Sequence, residues 1–336
     1  MSTRRNLSAV LVLLLLVTGC AQRQIYLPVD PGDTILLDET PFFAQEEYQC
    51  GPAALAMILN ASGVNVHPEA LAPLTYIPDR RGSLQLELMA ASRRYQRIPF
   101  EIEPKANALV DELKAGRPVL VLQNYGLKSL PVYHYAVVIG AEQDGVILRS
   151  GTTRELHMGL SRFLMSWVRA GSWGLIVLNP GELPSRTNPE RYLKAVNGFE
   201  QSGHFKQAEH AYLAALSRWP EHHDLLFALG NNAMSQGKLR EAESHFRTIV
   251  NAQPENIAAA NNLADILMKR GCLARAAAVI DLAAENAQEK NSPLLPYVLQ
   301  SQQEIASALQ QTDQNGQHTQ NSSNHQDTIV CTDDGG

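Results

Sequence analysis

The stretch PFFAQEEYQCGPAALAMILNASG runs from Pro41 to Gly63. Its second half reads as a helix. Pro52 suits a first helical turn, the Ala/Leu/Met/Ile run that follows sustains one, and Gly63 ends it. Such an apolar run has no polar face, so the helix is expected in a core. Cys50 then sits at its N-terminus, where unpaired backbone N–H groups and the helix dipole favour a thiolate. Gly51 leaves room beside the sulfur. Gln45 lies five residues upstream, on the segment entering the helix, where a side-chain amide can donate to a developing oxyanion.

A thiol nucleophile calls for an imidazole partner. Of the ten histidines, His67 reads as a loop residue, His157 lies beyond a Gly-Thr-Thr turn, five belong to the second half of the chain and two to its tail. His134 differs. It leads YHYAVVIGAEQDGVILRSG, Tyr133 to Gly151, which reads as a strand, a Gln143-Asp144-Gly145 turn and a second strand. A histidine at the head of a buried strand is rigidly held. Nearby, Leu84 to Tyr95 and Asn107 to Ala115 read as helices, with Arg93, Arg94 and Arg97 on a solvated side. Pro118 to Leu122 reads as a strand, followed by Asn124 and Tyr125 as candidates to line a cleft. Trp167 and Trp173 are expected to pack against a final strand, Gly174 to Leu178.

The chain has 336 residues and 45% hydrophobic content, so more than one folded core is expected. A net charge of −6 gives no electrostatic footprint for nucleic acid. The four cysteines, Cys20, Cys50, Cys272 and Cys331, form no CxxC pair. A zinc site, a thioredoxin-like motif and a disulfide scaffold are therefore not expected. No metal-ligand cluster stands out, and no cofactor is expected.

Residues 1–19 have Arg4 and Arg5 ahead of an apolar stretch too short to span a bilayer comfortably, closed by Val17-Thr18-Gly19-Cys20. This resembles the signal peptide and lipobox of bacterial lipoproteins. The resemblance implies lipidation of Cys20, anchoring to a membrane and a mature body outside the cytoplasm. Ala21, rather than Asp, points to the outer membrane. A plain secretory signal is the alternative. With Cys20 consumed, three cysteines remain. At least one thiol then stays unpaired within the monomer, and Cys50 is the natural candidate. Cys272, at a repeat turn, and Cys331, in the tail, read as structural or incidental.

Residues 20–37 read as a tether, 38–178 as an α+β core domain and 179–188 as a Pro-rich linker. Beyond it Gly203, Gly237 and Gly271 recur at a spacing of 34, as do Ala208, Ala242 and Ala276, and Tyr212, Phe246 and Ile280. Pro220 and Pro254 repeat once. This period of helix, turn and helix resembles the tetratricopeptide repeat. Repeats are assigned to 189–222, 223–256 and 257–290, with a capping helix to 311. The glycines are read as relieving crowding between helices, the alanines as allowing close approach and the large residues as filling the gap. The third repeat has Gln288 where a proline is expected. Residues 312–336 are polar and are expected to be disordered. The repeats are read as binding a protein or peptide partner.

Gln45, the Cys50-Gly51-Pro52-Ala53-Ala54 run and the His134-Tyr135-Ala136-Val137-Val138 strand together resemble the C39-like cysteine peptidases. The resemblance implies a papain-like α+β fold followed by an all-α tetratricopeptide-repeat solenoid. It also implies Cys50 as nucleophile, His134 as general base and Gln45 as oxyanion donor. The parent family cleaves double-glycine leaders beside a transporter, but no P-loop occurs here, so exporting peptides is not expected to be this chain's job. One position departs from the pattern: Ser150 stands where the family carries an Asp. Ser150 can accept from the imidazole without supplying charge. A Cys–His dyad oriented by backbone or water is the alternative. Three functions remain open: a membrane-anchored cysteine peptidase, a weak or inactive peptidase-fold scaffold that binds peptides or proteins at the cell envelope, and acyl transfer by the same thioester chemistry.

Overall fold

The computed structural model describes residues 26–44, 49–80, 82–318 and 331. The lipobox with Cys20, the start of the tether, Gln45 and most of the C-terminal tail lie outside the described residues. The described chain divides into two compact units. The first takes in residues up to Ala61, Asn65–Ser83 and Ile102–Leu175. The second takes in Ser62–Val64, Leu84–Glu101 and the residues from Ile176 onward.

The first unit is built on an antiparallel sheet. Strands β5 (Val119–Asn124), β6 (Tyr133–Glu142), β7 (Gly145–Ser150) and β8 (Thr153–Gly159) pair in sequence order. A short β1 (Ile35–Leu36) lies on β6, and Gly174 and Leu175 of β9 (Gly174–Leu178) pair with β5. Every residue of β5 and β7 is buried, which explains their near-continuous apolar text. Helix α1 (Cys50–Ala61) is buried continuously from Gly51 to Leu59 and packs on β5 and β6. The small helix α2 (Pro68–Thr75) and the two-residue strands β2 (Tyr76–Ile77) and β3 (Gly82–Ser83) follow it. Helix α3 (Gln85–Arg94) and strand β4 (Ile98–Glu101) belong to the second unit; α4 (Ala106–Lys114) returns to the first.

The expected hairpin at Tyr133 to Gly151 is present, with the turn at Gln143 and Asp144. Strand β8 and helix α5 (Leu160–Arg169) were not foreseen. The second carries Trp167, which is buried and donates through Nε1 to the Trp173 carbonyl. The rise of helical amphipathicity from Leu160 is the signal that would have located α5.

The second unit holds three helix pairs. They are α6 (Pro189–Glu200) with α7 (Phe205–Arg218), α8 (His223–Ser235) with α9 (Leu239–Ala252), and α10 (Ile257–Lys269) with α11 (Leu273–Glu289); α12 (Leu295–His318) closes the stack. The last helix passes the expected end at 311. Ala208, Ala242 and Ala276 and the large residues Tyr212, Phe246 and Ile280 are all fully buried. Missing a proline at Gln288 has a visible effect: α11 has 17 residues where α7 and α9 each have 14. At the start of the unit, Arg191 donates to the Glu101 carbonyl at 2.6 Å and lies over the Phe100 ring, so β4 packs with α6.

The repeating glycines act by conformation rather than by relieving crowding. Gly203, Gly237 and Gly271 have φ of +90°, +72° and +77°, the left-handed region that closes each helix. A Cβ at Gly203 or Gly237 would meet nothing within 4 Å. The close approach is at Gly230 instead, where a Cβ would lie 2.8 Å from the Phe246 ring. Gly237→Ala is expected to cost roughly 1–2 kcal/mol through backbone strain alone. Gly230→Ala is expected to cost about 1–3 kcal/mol by overpacking. Urea unfolding followed by helical circular dichroism checks both, and a neutral Gly237→Ala would contradict the conformational account.

The cysteines pair in a way the sequence reading did not reach. Cys272, buried at the start of α11, forms a disulfide with Cys331, and Cys50 is free. Cys331 is thus a structural anchor rather than incidental, and Arg275 also donates to its carbonyl at 3.1 Å. A reductant is expected to lower the stability of the second unit by several kcal/mol at most, as for a typical native disulfide. Melting curves of wild type and Cys331→Ser with and without dithiothreitol test this; reductant should shift wild type and leave the variant unmoved.

Candidate active site

The site forms where helix α1 meets strand β6. Cys50 opens α1 and is partly exposed. The backbone N–H groups of Tyr135, Gly51 and Cys50 itself act on its Sγ, each favouring the ionised form. The Tyr135 N–H ties the thiol to β6 one residue from His134.

The sheet register supplies the other side of the site. Gln123 on β5 is the cross-strand partner of His134 on β6, so their side chains share one face of the sheet. Val137 pairs with Arg149, which places Ser150 beside Ala136 and on that same face. His134 Nε2 lies 2.9 Å from Ser150 Oγ. Ser150 therefore contacts the imidazole, at the position where the family resemblance implied an acid. Asp144 is in the exposed turn, and its carbonyl accepts from Leu160 N.

The electrostatics are those of two neutral groups. Burial pushes the Cys50 thiol above its ordinary value, against the opposing pull of its three backbone N–H donors. Burial likewise holds His134 below the usual imidazole range. The helix N-terminus thus does not produce a resting thiolate, as the sequence reading expected; desolvation of a buried helix start outweighs its donors.

Asn124 and Tyr125, read as candidates to line a cleft, both make defined contacts. Asn124 is buried, and its Oδ1 accepts from Gly126 N at 2.9 Å and Val132 N at 3.0 Å, clasping the β5–β6 loop. The Tyr125 ring stacks on His134 with centroids 5.8 Å apart. The clasped loop carries the exposed side chains of Leu127, Leu130 and Val132, and Tyr133 at the start of β6 is exposed beside them. His67 is the N-cap of α2, and His157 is on β8 beside Glu142 and Glu155.

The segment entering the site is held from below. Arg149 is fully buried and donates to the Thr40 carbonyl, the Asp38 carbonyl and Asp38 Oδ1. It fixes residues 38–40, upstream of Gln45, against β7. Arg93 and Arg97 are less solvated than expected: Arg97 donates to Ser62 Oγ and the Ser62 carbonyl, and burial lowers both guanidinium groups. Among the described residues, no cluster of three or more His, Cys, Asp or Glu is placed to hold a metal ion. None of the described helices is long and apolar enough to cross a membrane.

A concavity lies within the repeats. It has a volume of about 520 Å³ and is lined by α6, α7 and α8, with Leu193, Phe205 and Phe227 beside Glu200, Asp224 and Asn231. Glu200 accepts from Tyr212 Oη and Asn232 Nδ2, which fix its carboxylate.

A family model described as the Peptidase_C39 like family matches residues 37–172. Residues 37–172 form a C39-like peptidase domain. A tetratricopeptide-repeat model matches 193–231 and 227–291, so repeats follow the peptidase domain. Comparison with curated proteins gave no match. Among solved structures, the chain is similar to a C39-like peptidase from Bacillus anthracis, at 19% identity over 44% of this chain and 98% of that one, with a TM-score of 0.38. It is similar to the peptidase domain of Streptococcus ComA, a bi-functional ABC transporter, at 21% identity over 41% and 97%, with a TM-score of 0.35. The repeats are similar to the TPR2B domain of yeast Sti1, at 16% identity over 35% and 96%, with a TM-score of 0.34.

The two displaced titrations set the sign of pH effects. A thiol raised in the fold stabilises it fully below the ordinary thiol value, and that contribution is lost as pH rises through the folded value. An imidazole lowered in the fold stabilises it above the ordinary imidazole value and loses that contribution as pH falls through the folded value. Cys50→Ala is therefore expected to flatten the alkaline limb of stability above about pH 8.5, and His134→Leu the acid limb below about pH 6.5. Urea midpoints between pH 5 and 10 read both limbs; unchanged limbs would contradict the burial argument.

Proposed function

We propose that the chain is a cysteine peptidase that hydrolyses peptide bonds at Cys50 and is held at the cell envelope by a lipid on Cys20. The observation that carries this reading is the placement of a free thiol at a buried helix start, tied by the Tyr135 N–H to the strand that bears His134. Both groups rest neutral, so the Sγ–H proton passes to His134 Nδ1 as Sγ attacks the carbonyl carbon. The Cys50 backbone N–H and the Gln45 amide stabilise the oxyanion. Collapse breaks the C–N bond, and the leaving amine takes the proton back from Nδ1. Water then attacks the thioester, giving its proton to Nδ1 as the acid product leaves and the thiol is restored.

The exposed Leu127, Leu130, Val132 and Tyr133 beside His134 suit an apolar stretch of substrate. The groove of the repeats suits a peptide with apolar residues around a Lys or Arg, because its wall offers Glu200 and Asp224. The Cys272–Cys331 disulfide favours an oxidising compartment, in keeping with export and lipid anchoring.

The raised Cys50 thiol and the uncharged Ser150 favour a second reading, a scaffold that binds peptides without cleaving them. One experiment separates the two. The full chain is incubated with a mixed library of unstructured peptides, and products are read by mass spectrometry. Hydrolysis that vanishes in Cys50→Ala and falls about 10²–10⁴-fold in His134→Ala supports the peptidase. Retention of peptides without cleavage, equal in wild type and Cys50→Ala, supports the scaffold. Amide products formed only with an added amine point to acyl transfer instead.

A further inference from the structure

Tyr125 is held at both ends. Its backbone N–H donates to the Val132 carbonyl at 2.9 Å. Its hydroxyl donates to Gln123 Oε1, also at 2.9 Å. The polarity of that second contact is fixed from helix α5. Ser166 Oγ donates to the Phe163 carbonyl at 2.9 Å, and a carbonyl can only accept. Ser166 has one hydroxyl proton, so its oxygen accepts from Gln123 Nε2, at 2.8 Å. Gln123 Nε2 also addresses Met158 Sδ at 3.8 Å. The amide is thereby turned with Oε1 toward Tyr125, and both Gln123 and Ser166 are buried. Between its two anchors the Tyr125 ring stacks on His134, with 29° between the ring planes. Tyr125 is 44% exposed, so its ring is an outer layer over the half-buried imidazole rather than part of the core.

We propose that Gln123 and Tyr125 are positioning residues for His134: Gln123 pins the Tyr125 hydroxyl, and the pinned ring covers one face of the imidazole and limits its access to water. Gln123 is the cross-strand partner of His134, so the pin is built on the same pair of strands as the group it serves. Burial keeps the Tyr125 hydroxyl above its ordinary value, so it remains a donor near neutral pH. The covered face contributes to the burial that holds His134 below the usual imidazole range. The titratable and charged groups around the imidazole are Cys50 at the start of α1, Tyr125 itself, and Arg162 of α5, which acts on Tyr125. Ser150 at Nε2 carries no charge. The inference rests on the catalytic reading of His134, but the stacking and the titration are observable without any substrate.

The test is ¹H–¹³C correlation of ¹³C-histidine-labelled full chain between about pH 5 and pH 8, with His134 assigned by loss of its signals in His134→Gln. Two quantities are read: the ring-current shift that the tyrosine imposes on the carbon-bound protons of His134, and the midpoint of the imidazole titration. Tyr125→Ala is expected to abolish the first and to raise the second toward the ordinary imidazole value. Tyr125→Phe keeps the ring but removes the pinned hydroxyl, and Gln123→Met removes its acceptor. Each is expected to move both quantities in the same direction, by less. Because Gln123 acts through the hydroxyl, Gln123→Met added to Tyr125→Phe should move neither further. A titration unchanged in Tyr125→Ala overturns the cover. Equal effects of Gln123→Met in the wild-type and Tyr125→Phe backgrounds place Gln123 directly on His134 and overturn the pin. Should Gln123→Met fail to fold, Ser166→Ala frees the amide from its anchor: movement like that of Tyr125→Phe, not added to it, supports the pin, and no movement overturns it. If both quantities behave as expected while iodoacetamide alkylation of Cys50 ignores His134→Ala, the positioning stands and the peptidase reading falls.

Discussion

The burial of helix α1 is the constraint on which the site depends. Nine consecutive residues, Gly51 to Leu59, leave no face for solvent, so the helix can lie only inside the first unit, on β5 and β6. Its first residue is therefore fixed relative to β6, and the Tyr135 N–H completes the placement. The two-residue period of β6 then decides the rest. His134 projects to the face that also carries Gln123 and Ser150, while the main chain of the next residue addresses the sulfur.

The same burial that places the thiol makes it harder to ionise. A helix N-terminus is often taken as a thiolate site, yet the donors here stand against desolvation and lose. The imidazole is displaced in the complementary direction. A neutral thiol and a neutral imidazole, with the uncharged Ser150 hydroxyl at Nε2, are one consistent arrangement. In the proposed reaction charge would separate only when a carbonyl is present to receive the nucleophile. The cost of the arrangement is a weaker base than a carboxylate-backed imidazole would be.

The parts legible in the sequence were those written in short-range pattern. The Pro52 helix start, the hairpin around Asp144 and the 34-residue period each follow from neighbours in the chain. What escaped depends on register or on distant contact. Gln123 is unremarkable as the fifth residue of an apolar strand until pairing sets it opposite His134. Ser166 lies in an amphipathic helix whose period was not recognised, and only packing of that helix on β5 brings it to Gln123. The Cys272–Cys331 bond joins residues 59 apart, beyond any local signal. The repeating glycines were located by spacing, but their reason is a backbone angle that spacing does not encode.

The central claim is that Cys50 and His134 share one proton between two neutral groups. The direct measurement is the rate of iodoacetamide alkylation of Cys50 against pH, read for each cysteine by mass spectrometry, in the oxidised full chain and in His134→Ala. Between the two displaced titrations the pair's proton count is constant, and the reactive thiolate exists only as a minor tautomer with the proton on His134. The logarithm of the wild-type rate should therefore be nearly flat from about pH 6.5 to about pH 8.5, while His134→Ala rises about tenfold per unit across that range. A wild-type profile that climbs with the same slope as His134→Ala would show an isolated buried thiol and contradict the account.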